Sequence, residues 1–275
     1  MEPIISLPIH RALKPIVQSI VVADINFTKL SLNAEYRYPW MNRTSIFFTL
    51  DDEPLLLKRN EEYIRVPLCY VVGPRLVNDT VNFGKRRRTV GITFKAGGFQ
   101  RLMGIPVDIL TKENIDLHQI FGKETEEIQE KLKEAKGNNE ILRIIENFLL
   151  KRIYSIRDFS LFDLSIEQCV KSRGNMSIEK LASTAALSTR QFERRCKESL
   201  GISPKLFSRL TRFSNAYTLK ERCSGLSWIT IAHESGYYDQ MHLIRDFKLF
   251  SGYSPGGINE IELHNLKIIS ILESE

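Results

Sequence analysis

The sequence predicts an α+β chain: a small antiparallel β-barrel or sandwich with trailing helices in front, and an all-α segment with two helix-turn-helix units behind. Three observations carry this. The first hundred residues are short apolar or alternating runs rich in Val, Ile, Phe and Tyr, separated by turn chemistry. From Leu161 to Pro255 the apolar period lengthens to three and four residues, which is helical. Within that second region FERRCKESLGISP (192–204) and LIRDFKLFSGYSP (243–255) repeat one pattern at an offset of 51 residues.

The strand runs are 16–25, 44–50, 54–58, 63–73 and 89–98, broken at Tyr38-Pro39-Trp40, Asp51–Pro54, Gly73-Pro74 and Asn82-Phe83-Gly84. Lys85–Arg88 admits two readings, an anion site or a basic hairpin edge that discourages strand-to-strand aggregation. Gly97-Gly98 marks a sharp turn or a close approach to a ligand. A short helix follows at Phe99–Met103, then polar helical sequence over 123–136 and an apolar-periodic helix over 139–154. Ile141, Ile145, Phe148 and Leu149 form its stripe, which either packs on the strands or pairs with a second subunit, leaving a homodimer open. Both patterns lapse at 155–160. The expected division is therefore 1–157, a β-rich sensor or dimerisation domain with a helical extension, and 158–275.

Charge supports that division. Net charge is +6, yet residues 171–257 hold 14 basic and 7 acidic residues, and the remainder holds 25 and 26. The excess in the repeat region favours a polyanionic partner. Four scattered cysteines and a start without basic and apolar leader regions point to a cytoplasmic protein, with no span of ~18 apolar residues to cross a membrane.

In the first copy, Ser177 caps a helix with buried positions Ile178, Leu181 and Ala182, the turn passes through Ala186-Leu187, and Ser188 caps a second helix closed by Gly201. The second copy places Ser227, Ile231, Ala232, Gly236 and Asp239 at the corresponding points. The offset is 50 before the turn and 51 after it, so one residue, near Tyr238, is inserted where insertions are tolerated. The two units span about 177–201 and 227–252. Phe192, Cys196 and Ser199 match Leu243, Phe247 and Phe250 as core positions. The opposite faces carry Arg190, Glu193 and Arg194, and then Met241, Ile244 and Arg245. Such a face suits a DNA major groove, where Arg bonds guanine O6 and N7. Between the copies Ser203-Pro204 opens a helix to about Arg222, with Leu206, Leu210, Phe213 and Tyr217 as its stripe. At 1.5 Å per residue this helix is roughly 28 Å long, against about 34 Å for one turn of B-DNA. A stiff spacer of that length can set two reading helices over successive grooves. Lys205, Arg209 and Arg212 on it, with Lys220 and Arg222, are candidate phosphate contacts.

Residues 165–257 resemble the DNA-binding domain of the AraC/XylS family of bacterial transcription regulators. Its second unit typically reads I-A-x-x-x-G-F-x-D-Q-S-H-F-x-R-x-F-K-x-x-x-G-x-x-P; this chain has IAHESGYYDQMHLIRDFKLFSGYSP. The resemblance implies seven helices in this domain and base contacts at Arg190, Glu193, Arg194, Gln240, Met241, Ile244 and Arg245. Ser188, Asp239, His242 and Lys248 join the candidate phosphate contacts. Met241 departs from the usual Ser, so base preference there does not carry over. The family usually places a cupin-like effector-binding or dimerising domain in front, and GITFKAGGFQRLMGIPVDILTKENIDLHQIFG resembles one such junction, with Ala96 for an expected Pro. RNA polymerase is an implied partner if the protein activates.

Three readings of the front half stay open: a sensor of a small effector, a dimerisation or protein-docking module, and a cupin-type metal enzyme. The last lacks support. No histidine lies between Arg11 and Leu117, and no phosphate-cradling or nucleophile motif occurs in a suitable context. No enzyme activity, metal or cofactor is expected. The role of 258–275 is not legible.

Overall fold

A computed structural model describes residues 3–257 except Asn60, Asn78 and Lys112; the tail 258–275 lies outside the described residues. Among the described residues the front half has ten strands: β1 (Ile4–Leu7), β2 (Val17–Asn26), β3 (Glu35–Arg37), β4 (Thr44–Thr49), β5 (Leu56–Arg59), β6 (Glu62–Arg65), β7 (Cys69–Val72), β8 (Thr80–Asn82), β9 (Arg86–Phe94) and β10 (Ile115–Asp116). They form two antiparallel sheets, β1-β2-β9-β4-β7-β10 and β3-β8-β5-β6. The two sheets keep separate edges, so the cupin-like arrangement is open rather than a closed barrel. The run 63–73 is two strands and not one, because Pro67, between β6 and β7, cannot donate to a ladder.

Period-two alternation explains why β4 and β7 are buried throughout. Ile46, Phe48, Cys69 and Val71 point to one face, where α3 (Lys123–Glu134) and α4 (Asn138–Leu150) cover them. Phe47, Tyr70 and Val72 point to the other, into the space between the sheets. The stripe of α4 packs within the chain: Phe148 meets Phe48 edge-on at 6.0 Å, and Ile145 and Leu149 are buried. That favours the intrachain fate of the two considered.

In the basic run 85–88, Arg86–Arg88 pair with β2, and the ladder to β4 begins only at Thr89. β9 lies between β2 and β4, Arg86 pairs with Asp24 across the ladder at 2.7 Å, and Arg87 is buried against the carbonyls of Glu53 and Phe83. Gly97-Gly98 makes the tight turn onto α1 (Gly98–Met103). A 3-10 turn (Val107–Leu110) and α2 (Leu117–Phe121) complete the front half.

The rest is helical: α5 (Leu161–Lys171), α6 (Ile178–Thr184), α7 (Thr189–Leu200), α8 (Pro204–Arg222), α9 (Trp228–Glu234) and α10 (Gln240–Ser251). These are six α-helices and a 3-10 turn at Pro255–Gly257 among the described residues, against seven helices expected. Ser160 and Asp163 form a capping box that starts α5, where the strand and helix patterns lapse. Phe192, Cys196, Leu210, Phe213, Leu243, Phe247 and Phe250 share one core, against which Trp40 and Leu76 of the front half also pack. Among the described residues no helix is long and apolar enough to cross a membrane.

Candidate nucleic-acid interface

Each unit begins alike. Ser177 and Ser227 cap α6 and α9 with near-identical backbone angles, each accepting a bond from the N–H three residues on. Such a cap stabilises by about 1 kcal/mol. The turns differ: Ala186 sits at φ 53° and Gly236 at φ 76°. Both need the left-handed region, which glycine enters freely and alanine does not.

The reading helices start on different caps. Ser188 and Gln191 bond reciprocally at the head of α7, the Gln191 N–H to Ser188 Oγ at 3.3 Å and the Ser188 N–H to Gln191 Oε1 at 3.0 Å. At α10 the Asp239 carboxylate accepts the His242 N–H at 2.7 Å, and that bond holds Asp239 below the usual carboxylate range. Both helices end on a left-handed glycine, Gly201 and Gly252.

Core and exposed faces separate as expected. Phe192, Cys196 and Ser199 are buried in α7, as are Leu243, Phe247 and Phe250 in α10. Arg190, Glu193, Arg194, Met241 and Arg245 are exposed, and Gln240 and Ile244 are half-buried. Of the other candidates, Ser188, Lys205, Asp239, His242 and Lys248 are exposed.

Arg209 and Arg212 stand apart, because their guanidinium groups are already engaged. Arg209 pairs with Asp246 of α10 at 2.6 Å and lies over the Phe250 ring. Arg212 donates to the Gly174 carbonyl and lies over Tyr237. Lys220 likewise donates to the Leu226 carbonyl at 3.0 Å. Asp246 is buried and ties α10 to α8, a contact the sequence does not reveal. Its burial alone was signalled, by its place three residues after Leu243, on the apolar face.

The front half grips both reading helices at equivalent points. A Cβ on Gly201 would run into Thr111 and Val107, and one on Gly252 would run into the Arg37 guanidinium. The Trp40 backbone N–H donates to the Phe250 carbonyl at 2.7 Å, and the Trp40 ring lies 5.4 Å from that of Phe250.

Among the described residues, three spaces lie in the front half, the most voluminous an open groove of about 610 Å³ along α3 and α4, beside Glu124, Ile128, Phe148 and Tyr154. Between the sheets only about 40 Å³ is left, beside Phe47, Tyr70, Arg75 and Arg87. A larger cavity of about 310 Å³ is lined by Leu57, Arg59, Ile64, Arg65, Arg75 and Leu110 among others.

Residues 181–260 match the family model described as "Helix-turn-helix domain". No curated protein matches the chain. Among solved structures, ToxT from Vibrio cholerae is 15% identical at a TM-score of 0.45, covering 86% of this chain and 93% of that one. A wild-type ToxT of the same organism with bound unsaturated fatty acid is 13% identical at 0.45, covering 87% and 92%. The AraC-like transcriptional activator CuxR is 10% identical at 0.18, covering 94% and 76%. Likenesses this remote carry no functional weight. The domain match and the duplicated motif together make the C-terminal segment a DNA-binding helix-turn-helix domain.

Proposed function

From the premise that residues 181–260 are an AraC-type helix-turn-helix domain, we propose that the chain is a bacterial transcription regulator that reads double-stranded DNA with α7 and α10 in successive major grooves. The observation that supports this most is the pair Arg194 and Arg245, exposed at one position of two units joined by a 19-residue helix. Arg190, Glu193, Gln240, Met241 and Ile244 complete the base-contacting set. Ser188, Lys205, Asp239, His242 and Lys248 lie where phosphates pass; phosphate contacts give affinity, and base contacts give specificity. Arg209 and Arg212 hold α8 to its neighbours instead. On this reading the chain divides at about 157/158 into the two domains expected above.

Selection of bound sequences from random duplexes tests the proposal. It should return a site with two elements about one helical turn apart. Recovery of no preferred sequence sinks it.

The cavity beside Leu57 and Arg75 favours the sensing role of the front half over pure docking, since about 310 Å³ is the size of a small-ligand site and, unlike the groove on α3 and α4, it lies against the segments that touch both helices. A physical route joins it to both reading helices. Leu110 lines the cavity and ends the turn that meets Gly201. Arg75 also lines it, and its carbonyl accepts the N–H of Met41, next to Trp40 on α10. Mass spectrometry of the native protein should find a retained small molecule, or a compound screen should find one that raises Tm. A cavity that takes nothing in either assay returns the front half to docking.

A further inference from the structure

The two reading faces differ in chemistry at equivalent positions. Arg190 corresponds to Met241, Glu193 to Ile244, and only Arg194 to a like residue, Arg245. Met241 is 56% exposed, and Tyr238, the residue inserted in the second turn, is 93% exposed. The Tyr238 ring stands edge-on to His242 at 6.2 Å, so it is set beside the first turn of α10. None of these is needed by the core of α10, which Leu243, Phe247 and Phe250 already fill.

Resting on the DNA-reading assignment above, we propose that the second unit recognises thymine 5-methyl groups through Tyr238, Met241 and Ile244. The first unit reads hydrogen-bonding edges instead. In the major groove thymine offers a methyl group that an apolar side chain can cover. Cytosine and adenine offer an amino group that the same side chain leaves unpaired once water is expelled. Glu193 can accept from the cytosine amino group, and Arg190 and Arg194 can donate to guanine. The operator is therefore asymmetric: guanine and cytosine under α7, and thymines around one guanine, bonded by Arg245, under α10. An apolar surface for a protein partner is the competing use of the same side chains. DNA is favoured because Met241 and Ile244 occupy the helix positions at which α7 is charged, and because Arg245 lies among them.

The test uses the full chain and its selected site, with each thymine replaced singly by uracil, which lacks only the methyl group. Arg245→Ala marks the half under α10 by relaxing its base preference there, and Arg194→Ala marks the other. Uracil should weaken binding about fourfold per covered methyl, in the α10 half alone. In M241S at least one of those positions should lose its sensitivity; Met241 is exposed, so the variant folds. Tight, sequence-specific binding indifferent to uracil overturns the proposal and leaves the apolar face to a protein partner. Equal loss in both halves overturns it too. A protein that selects no sequence fails at the earlier step, the DNA reading itself, and takes this refinement with it.

Discussion

Unit one turns through a left-handed alanine and shows three charged side chains; unit two turns through a left-handed glycine and shows two apolar ones and an arginine. Their first-helix caps, core positions and C-terminal glycines nevertheless coincide. The buried pattern fixes where each helix begins, ends and packs, while the exposed positions are free to diverge. The anchoring diverges as well. Unit two is tied to the spacer helix by the Arg209–Asp246 pair, and the position of Asp246 is held in unit one by Arg195, which lies over Phe162.

That asymmetry yields the largest expected effect. Arg209→Ala leaves the buried Asp246 carboxylate without its partner and should cost about 3 kcal/mol of stability by chemical denaturation. Arg195→Ala, at a half-buried stacking contact with no buried charge to strand, should cost about 1 kcal/mol or less. Equal losses would mean that the two units are anchored alike.

The turns should respond in opposite directions. Ala186→Gly relieves the left-handed strain and should raise stability by about 1 kcal/mol. Gly236→Ala adds that strain, and its Cβ would press on the Asn175 side chain, so its loss should exceed that gain. Two losses of the same size would show that the turns are not equivalent. Smallest is a salt effect. Lys205→Ala should weaken all sequences alike and reduce the salt slope by about one unit, if this lysine contacts phosphate. An unchanged slope removes it from the interface.

The helices of both units were legible because cap, apolar stripe and stop signal recur together, each corroborating the other. The central strands were legible from their β-branched and aromatic runs. Strands β3 and β8, three residues each, carry too little pattern to stand out from a loop. The engagement of Arg209 and Arg212 was hidden, because their partners lie 37 and 38 residues away and only packing brings them together. Trp40 read as turn chemistry for the same reason. Nothing local announces that it seats on α10. The face proposed to read DNA could be picked out because its residues face away from the core, whereas the intrachain contacts of Arg209 and Arg212 depend on packing that the basic residues alone do not reveal.

The central claim is that one chain carries two readers of different halves of one site. Measuring Arg194→Ala and Arg245→Ala on the selected duplex tests it most directly. Each variant should lose ~1–3 kcal/mol and relax preference at one base pair, the two positions falling in opposite halves about one helical turn apart. If both variants bind selected and scrambled DNA as the unaltered protein does, α7 and α10 are not the readers.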